Sequence, residues 1–266
     1  MRRNALRTAA VLAAATTMWA CGDSGSPSTD AQINFNLATR AAAPAVASAV
    51  SFATAGTPET YTDGTNTLVI DQVQLVLREI ELKRAEATMT CSESSGGDAC
   101  EELEIGPLLL DLPLGGAGGA ARSFSVPVAP GTYDEVDFEV HKPSSGDDAA
   151  FVQANPGFDG VSIKVTGTFN GQGFTFTSDL DAEEEIELNP PLVTTESTAT
   201  DLTLFVDLDR WFRDGSGNLV DPESANTGKA NESLVESNIT STLHAFEDEN
   251  HDGSDDHGGD PSGSGS

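Results

Sequence analysis

Residues Arg122 to His141, RSFSVPVAPGTYDEVDFEVH, limit the fold more than any other stretch. Phe124, Val126 and Val128 alternate with Ser123, Ser125 and Pro127, and Val136, Phe138 and Val140 alternate with Glu135, Asp137 and Glu139. A period of two places one set of side chains on a core and the other in water, as in half-buried strands. Ala129-Pro130-Gly131 supplies a reversal, because proline presets φ and glycine accepts the left-handed region. The stretch therefore predicts a β-hairpin. The same alternation recurs in Ile33, Phe35 and Leu37, in Val161, Ile163 and Val165 up to Phe169, and in Phe174, Phe176 and Leu180. It returns in Leu202, Leu204, Val206 and Leu208, a strand closed by Trp211-Phe212. Asn170-Gly171-Gln172-Gly173 predicts a second hairpin.

Leu68 to Glu86 reads both ways. Val73, Leu77, Ile80 and Arg84 sit at helical spacing, yet Val73, Leu75 and Leu77 alternate, and Ile80 and Leu82 continue in the opposite phase. A phase switch inside a strand marks a bulge, here near Arg78-Glu79. The reading adopted is one long bent strand paired with Leu103 to Leu112. Residues 41–66, 115–121 and 143–160 read as loops. Asn231 to Phe246 carries Leu234, Val235, Ile239, Leu243 and Phe246 at helical spacing, which predicts one amphipathic helix. The fold class expected is all-β, an antiparallel β-sandwich of about eight to ten short strands with one C-terminal amphipathic helix, over residues 32–246.

The ends differ from this pattern. Residues 1–20 open with Arg2 and Arg3 and continue into an Ala/Val/Leu run too short to span a membrane, which is the form of a bacterial export signal. Ala20-Cys21 and the loose sequence after it resemble the lipobox of bacterial lipoproteins, in which the cysteine is lipidated and becomes the new N-terminus. Met18 stands in place of the usual leucine, and Trp19 is bulky for its position. Gly22 follows where an inner-membrane retention signal would place aspartate. The expectation is a lipid on Cys21, a flexible tether over 21–31, and an outer-membrane anchor facing the periplasm or the surface. With Cys21 lipidated, Cys91 and Cys100 remain, flanking SESSGGDA. A disulfide closing so short a loop contributes about 2.5–3 kcal/mol and implies an oxidising compartment. A metal site is the weaker reading there, because no histidine or third cysteine lies nearby.

The chain carries 43 acids against 13 bases, a formal charge of −30, and loss of Arg2, Arg3 and Arg7 with the signal takes it to −33. Such a surface repels nucleic acid and anionic membranes. It serves solubility in one reading and cation binding in the other. The sharpest ligand motif is DENHDGSDD in the solvated acidic tail, 247–266. Asp248, Asn250 and Asp252, with Gly253 turning the chain, match the first half of a calcium loop, and the Ser254 carbonyl and Asp256 extend it. The twelfth position holds Gly259 instead of glutamate, so a chance match in an acidic tail is the competing reading. His244, His251 and His257 offer zinc, nickel or copper ligands, though at spacings of seven and six. Asp214, Ser216 and Asn218 read as an ordinary turn.

VQLVLREIEL at Val73 to Leu82, LLLDL at Leu108 to Leu112, VAPGTY at Val128 to Tyr133 and TLFVDL at Thr203 to Leu208 occur in an order that resembles bacterial lipoproteins carrying the domain of unknown function 4382. The likeness covers roughly residues 32–212. It implies a sandwich of the prealbumin or transthyretin type, and since that family has no established activity it implies no functional residue.

No catalytic residues are assigned. His141 is the only histidine within the expected sandwich, and neither a G-x-S-x-G serine nor a phosphate loop occurs. The expected function is a non-enzymatic, lipid-anchored binding or adhesion module with a protein or glycan ligand. The alternative is a structural or calcium-buffering envelope lipoprotein, and an enzyme is the remote one. Glycan is the less favoured ligand, because Trp211 is the sole tryptophan after the signal and the phenylalanines fall in alternating core positions.

Overall fold

The computed structural model describes residues 30–39, 58–85, 100–115 and 121–247, with the backbone alone at 100–105 and 121–123. It is an all-β sandwich of a four-stranded and a seven-stranded sheet. The larger sheet is organised on β3 (Thr67–Arg84), an 18-residue strand. Its ladder shifts register between Leu77 and Glu79, where the phase switch lies. The extra residue lets Val73, Leu75 and Leu77 on one side of the bulge, and Ile80 and Leu82 on the other, all face the core. Because β3 is long, each of its edges serves two strands end to end. One edge pairs with β7 (Ile163–Phe169) and then β6 (Gly131–Val140), the other with β2 (Glu59–Thr62) and then β4 (Cys100–Asp111). β8 (Gln172–Ser178) and β9 (Ala182–Thr194) extend the sheet beyond β7 and β6.

The smaller sheet has the order β11 (Leu243–Glu247), β10 (Ala199–Val206), β1 (Ala31–Ala38), β5 (Ala121–Val128). Ile33, Phe35, Leu202, Leu204 and Val126 from this sheet pack against Leu77, Ile80, Val136 and Phe138 of the other. The space left between them is a cavity of about 20 Å³.

Four sequence readings are corrected. Arg122 to His141 is not a hairpin: β5 pairs with β1 in the small sheet and β6 with β3 and β9 in the large one. Ala129-Pro130 carries the chain from one layer to the other, fastened where the Tyr133 hydroxyl donates to the Ala129 carbonyl at 2.7 Å. Second, β1 and β10 run parallel, so the small sheet is mixed. Third, the late helix is α3, Glu232–Thr240, preceded by the short helices α1 (Ala149–Ala154) and α2 (Leu208–Trp211). Leu243 and Phe246 belong to β11, because the free edge of β10 takes up five residues as ladder partners. Fourth, β2, β9 and α1 fall in stretches read as loop or left unassigned. β9 carries Glu183, Glu185 and Glu187 on its exposed side and Pro190-Pro191 at a ladder irregularity, as suits an edge strand. Among the described residues no helix is long and apolar enough to cross a membrane.

Candidate functional site

The outer face of the large sheet gathers carboxylates. The pairing of β3, β6 and β9 sets Glu81 beside Asp137 and Glu139 beside Glu183. Glu79, Glu81, Asp137, Glu139, Asp181 and Glu183 line a groove of about 310 Å³, with Phe138 and Ala182. These are the solvent-side positions of strands whose alternate residues fill the core, so the same period that builds the sandwich assembles the groove.

Asp137 lies on β6, the middle of these three strands. Its Oδ1 is buried and has no hydrogen-bond partner among the described residues. Burial first, and then repulsion from Glu135, Glu185, Glu81 and Glu183, pushes its carboxyl up to about 7. Nearby, Lys83 reaches both oxygens of Glu135 at 3.1 Å. An acid raised on folding holds its proton in the native state where the unfolded chain has released it. Its contribution to stability is therefore fully present below about pH 4 and is lost as pH rises through 7. Because Asp137 is only partly buried, solvent screening reduces the expected swing to about 1–2 kcal/mol. Denaturation of chelator-treated protein at acid and neutral pH should show that much more pH dependence in wild type than in Asp137→Asn; equal profiles would refute the assignment.

His141 lies one residue beyond β6, against the groove residues Glu139 and Asp181. It is 5% exposed. Its Nδ1 lies 3.1 Å from Glu139 Oε1 and 3.8 Å from Asp181 Oδ1, and its Nε2 lies 2.9 Å from Asp148 Oδ2. The register explains the grouping. Val140 pairs with Ala182, so the residues flanking that pair, His141 and Asp181, meet across the two strands. Asp148, the residue before α1, is brought back onto the imidazole by the Ser144–Asp148 turn, where the Ser144 N–H also donates to Oδ2 at 3.0 Å. Burial acts to raise the Asp148 carboxyl, but the bonds from His141 and Ser144 outweigh it and hold the pKa below the ordinary value.

A second acidic group, Asp179, Glu232 and Glu236, has partners of its own: Asp179 accepts from Thr227 and Lys142, and Glu236 from Ser178. Asp214 turns Oδ1 onto the backbone N–H groups of Ser216 and Asn218 at 2.9 Å, the ordinary turn that its sequence suggests. His244 lies in β11, stacked 6.3 Å from Phe205, and burial lowers its pKa.

Cys21, Cys91, Asp248, Asn250, Asp252, Ser254, Asp256, His251 and His257 lie outside the described residues, and Cys100 opens β4 with only its backbone described. Sequence reasoning missed the His141 group. Its local trace is Glu139-Val140-His141, two ligand-type side chains two apart on a strand, with Asp148 and Asp181 supplied by other segments.

No family model matches the chain, and no curated protein matches it. Among solved structures it is similar to MbnP from Methylosinus trichosporium, at 11% identity over 70% of this chain and 78% of that one, with a TM-score of 0.34.

Proposed function

We propose that this chain is a non-enzymatic binding module, held at a bacterial outer membrane by a lipid on Cys21, and that the ligand of its sandwich is cationic. The observation that carries the reading is the groove on the outer face, walled by six carboxylates. The cavity between the sheets at Leu77, Ile80, Leu202 and Leu204 measures about 20 Å³, far smaller than the outer groove. Phe138 is the only aromatic residue in the groove lining, which disfavours glycan stacking. The signal segment, Ala20-Cys21 and the resemblance to envelope lipoproteins support the anchor.

Calcium is the cation chosen for the test, with dissociation constants on the order of 10⁻⁴–10⁻³ M for sites so open. Calcium titrated into the full chain, followed by amide NMR, should move groove resonances, and Glu79→Gln/Glu81→Gln/Glu183→Gln should lose that response. The tail loop at Asp248, Asn250 and Asp252 is a second calcium reading, favoured by its D-x-N-x-D-G spacing; Asp248→Ala/Asp252→Ala removes it alone. If both variants respond as wild type does, the cation reading fails. For the anchor, Cys21→Ser should give soluble protein or unprocessed precursor. A processed Cys21→Ser form that still sediments with membranes would refute it.

A further inference from the structure

We propose that Glu139, His141 and Asp181 form a binding site for a divalent first-row transition ion, with Asp148 as the group that orients the imidazole. The inference rests on the preceding reading only in placing a cation at the acidic face. The donor set is different, because a ring nitrogen joins two carboxylate oxygens, and that combination suits Zn²⁺ and its neighbours rather than calcium.

Three observations meet here. The first is the tautomer. Asp148 is 8% exposed in its side chain and its Oδ2 lies 2.9 Å from Nε2, with the Ser144 N–H donating to the same oxygen, so this carboxylate is placed to accept the hydrogen of Nε2. A carboxylate that holds one ring nitrogen as donor leaves the other with its lone pair outward, the usual supporting arrangement for a metal-bound histidine.

The second is what that lone pair meets. Nδ1 faces Glu139 Oε1 at 3.1 Å and Asp181 Oδ1 at 3.8 Å. A lone pair set against two anionic oxygens is repulsive unless a cation lies between them. A proton on Nδ1 bonds Glu139 but leaves Asp181, beyond hydrogen-bond reach, uncompensated from that side. A metal ion serves all three. Ligands of a tetrahedral Zn²⁺ with bonds of about 2.0–2.2 Å lie about 3.4 Å from one another. The three donor atoms here all lie within 4.8 Å of each other, so modest side-chain rotation closes the site.

The third is pre-organisation and access. His141 is fixed from both sides, and the Lys142 N–H donates to Asp181 Oδ1 at 3.2 Å. Asp181 has 51% of its side chain exposed and lines the groove, which gives an ion a path and leaves a coordination position towards water. Of the nearby bases, Arg78 lies 3.8 Å from Glu139 Oε2, the oxygen other than the one facing His141, and Lys142 Nζ bonds Asp179 at 3.3 Å.

The test is Zn²⁺ binding to the chelator-stripped full chain, by calorimetry and by NMR of the histidine ring nitrogens, with Co²⁺ absorption as a report on ligand geometry. The expected result is one Zn²⁺ per chain, with the His141 Nδ1 resonance moving on binding. Asp181→Asn, chosen because that side chain is half exposed and its loss spares the fold, should weaken binding at least tenfold. Asp148→Asn should weaken it by about 10–100-fold while leaving all three ligands in place. Glu79→Gln/Glu81→Gln/Glu183→Gln should keep the Zn²⁺ site, so failure of the calcium reading and failure of this one are told apart. Zn²⁺ binding that survives Asp181→Asn unchanged, that leaves the His141 ring unmoved, or that disappears in His251→Gln/His257→Gln would overturn the proposal.

Discussion

Replacing Gly167 by alanine is expected to destabilise the chain by about 3 kcal/mol. At an ordinary strand position the same change stabilises by about 0.5–1 kcal/mol, because glycine has more backbone freedom to lose on folding. The sign is reversed here by a close approach. A Cβ on Gly167 would lie 1.9 Å from the Val69 carbonyl oxygen, 3.0 Å from its carbon and 3.1 Å from the Ile70 Cα. All three are backbone atoms of β3, just before the register shift between Ile70 and Gln72, and no side-chain rotation relieves them. The β7–β8 hairpin would have to slide away from β3, loosening Val165 and Phe176, both fully buried. Urea denaturation of both proteins measures the difference, and an alanine variant as stable as wild type would mean that the strands do not approach so closely.

Trp211→Ala should have an effect of similar or greater size, about 3–5 kcal/mol. Trp211 is fully buried in α2. Its Nε1 donates to Thr242 Oγ1 at 2.9 Å, and its carbonyl accepts from Asn238 Nδ2 at 3.0 Å. One side chain thus fills the junction of α2, α3 and the start of β11, and its loss leaves a large cavity. Trp211→Phe separates bulk from bonding. It keeps much of the ring volume but leaves the Thr242 hydroxyl without its donor, a cost of about 1–3 kcal/mol. A loss under 1 kcal/mol for alanine in an equilibrium melt would show that the helical end adds little to the sandwich.

The parts of the fold legible in the sequence are those dictated by one strand at a time. The opposed phases around Arg78-Glu79 mark a bulge whichever strands lie alongside, and the Asn170-Gly171 turn joins its two strands through local geometry. Pairing is another matter. Val128 and Val136 both point inward, and alternation records that, but it does not say which ladder each strand joins. The turn at Ala129-Pro130-Gly131 suits a hairpin and a layer change alike. Leu243 is four residues past Ile239 and fits the helix, and only the open edge of β10, set by distant segments, selects a strand. The site follows the same division. Its acids were visible as a surplus without a location, because Glu139, Asp148 and Asp181 are brought together by pairing and by one turn, and no spacing along the chain encodes that convergence.

The parallel pairing of β1 with β10 bears on the order in which this chain can become native. β1 is made before β10, and Gln32 meets its partner Ala199 only 167 positions later. At about 5–20 residues per second, roughly 10–30 s of elongation separate them. Throughout that interval Ile33, Phe35 and Leu37 have at most the β5 side of their ladder, and the opposite edge of β1 stands open to any other extended segment. The smaller sheet therefore stays incomplete until β10 is made, and a chain that ends before Ala199 lacks the partner for that edge of β1.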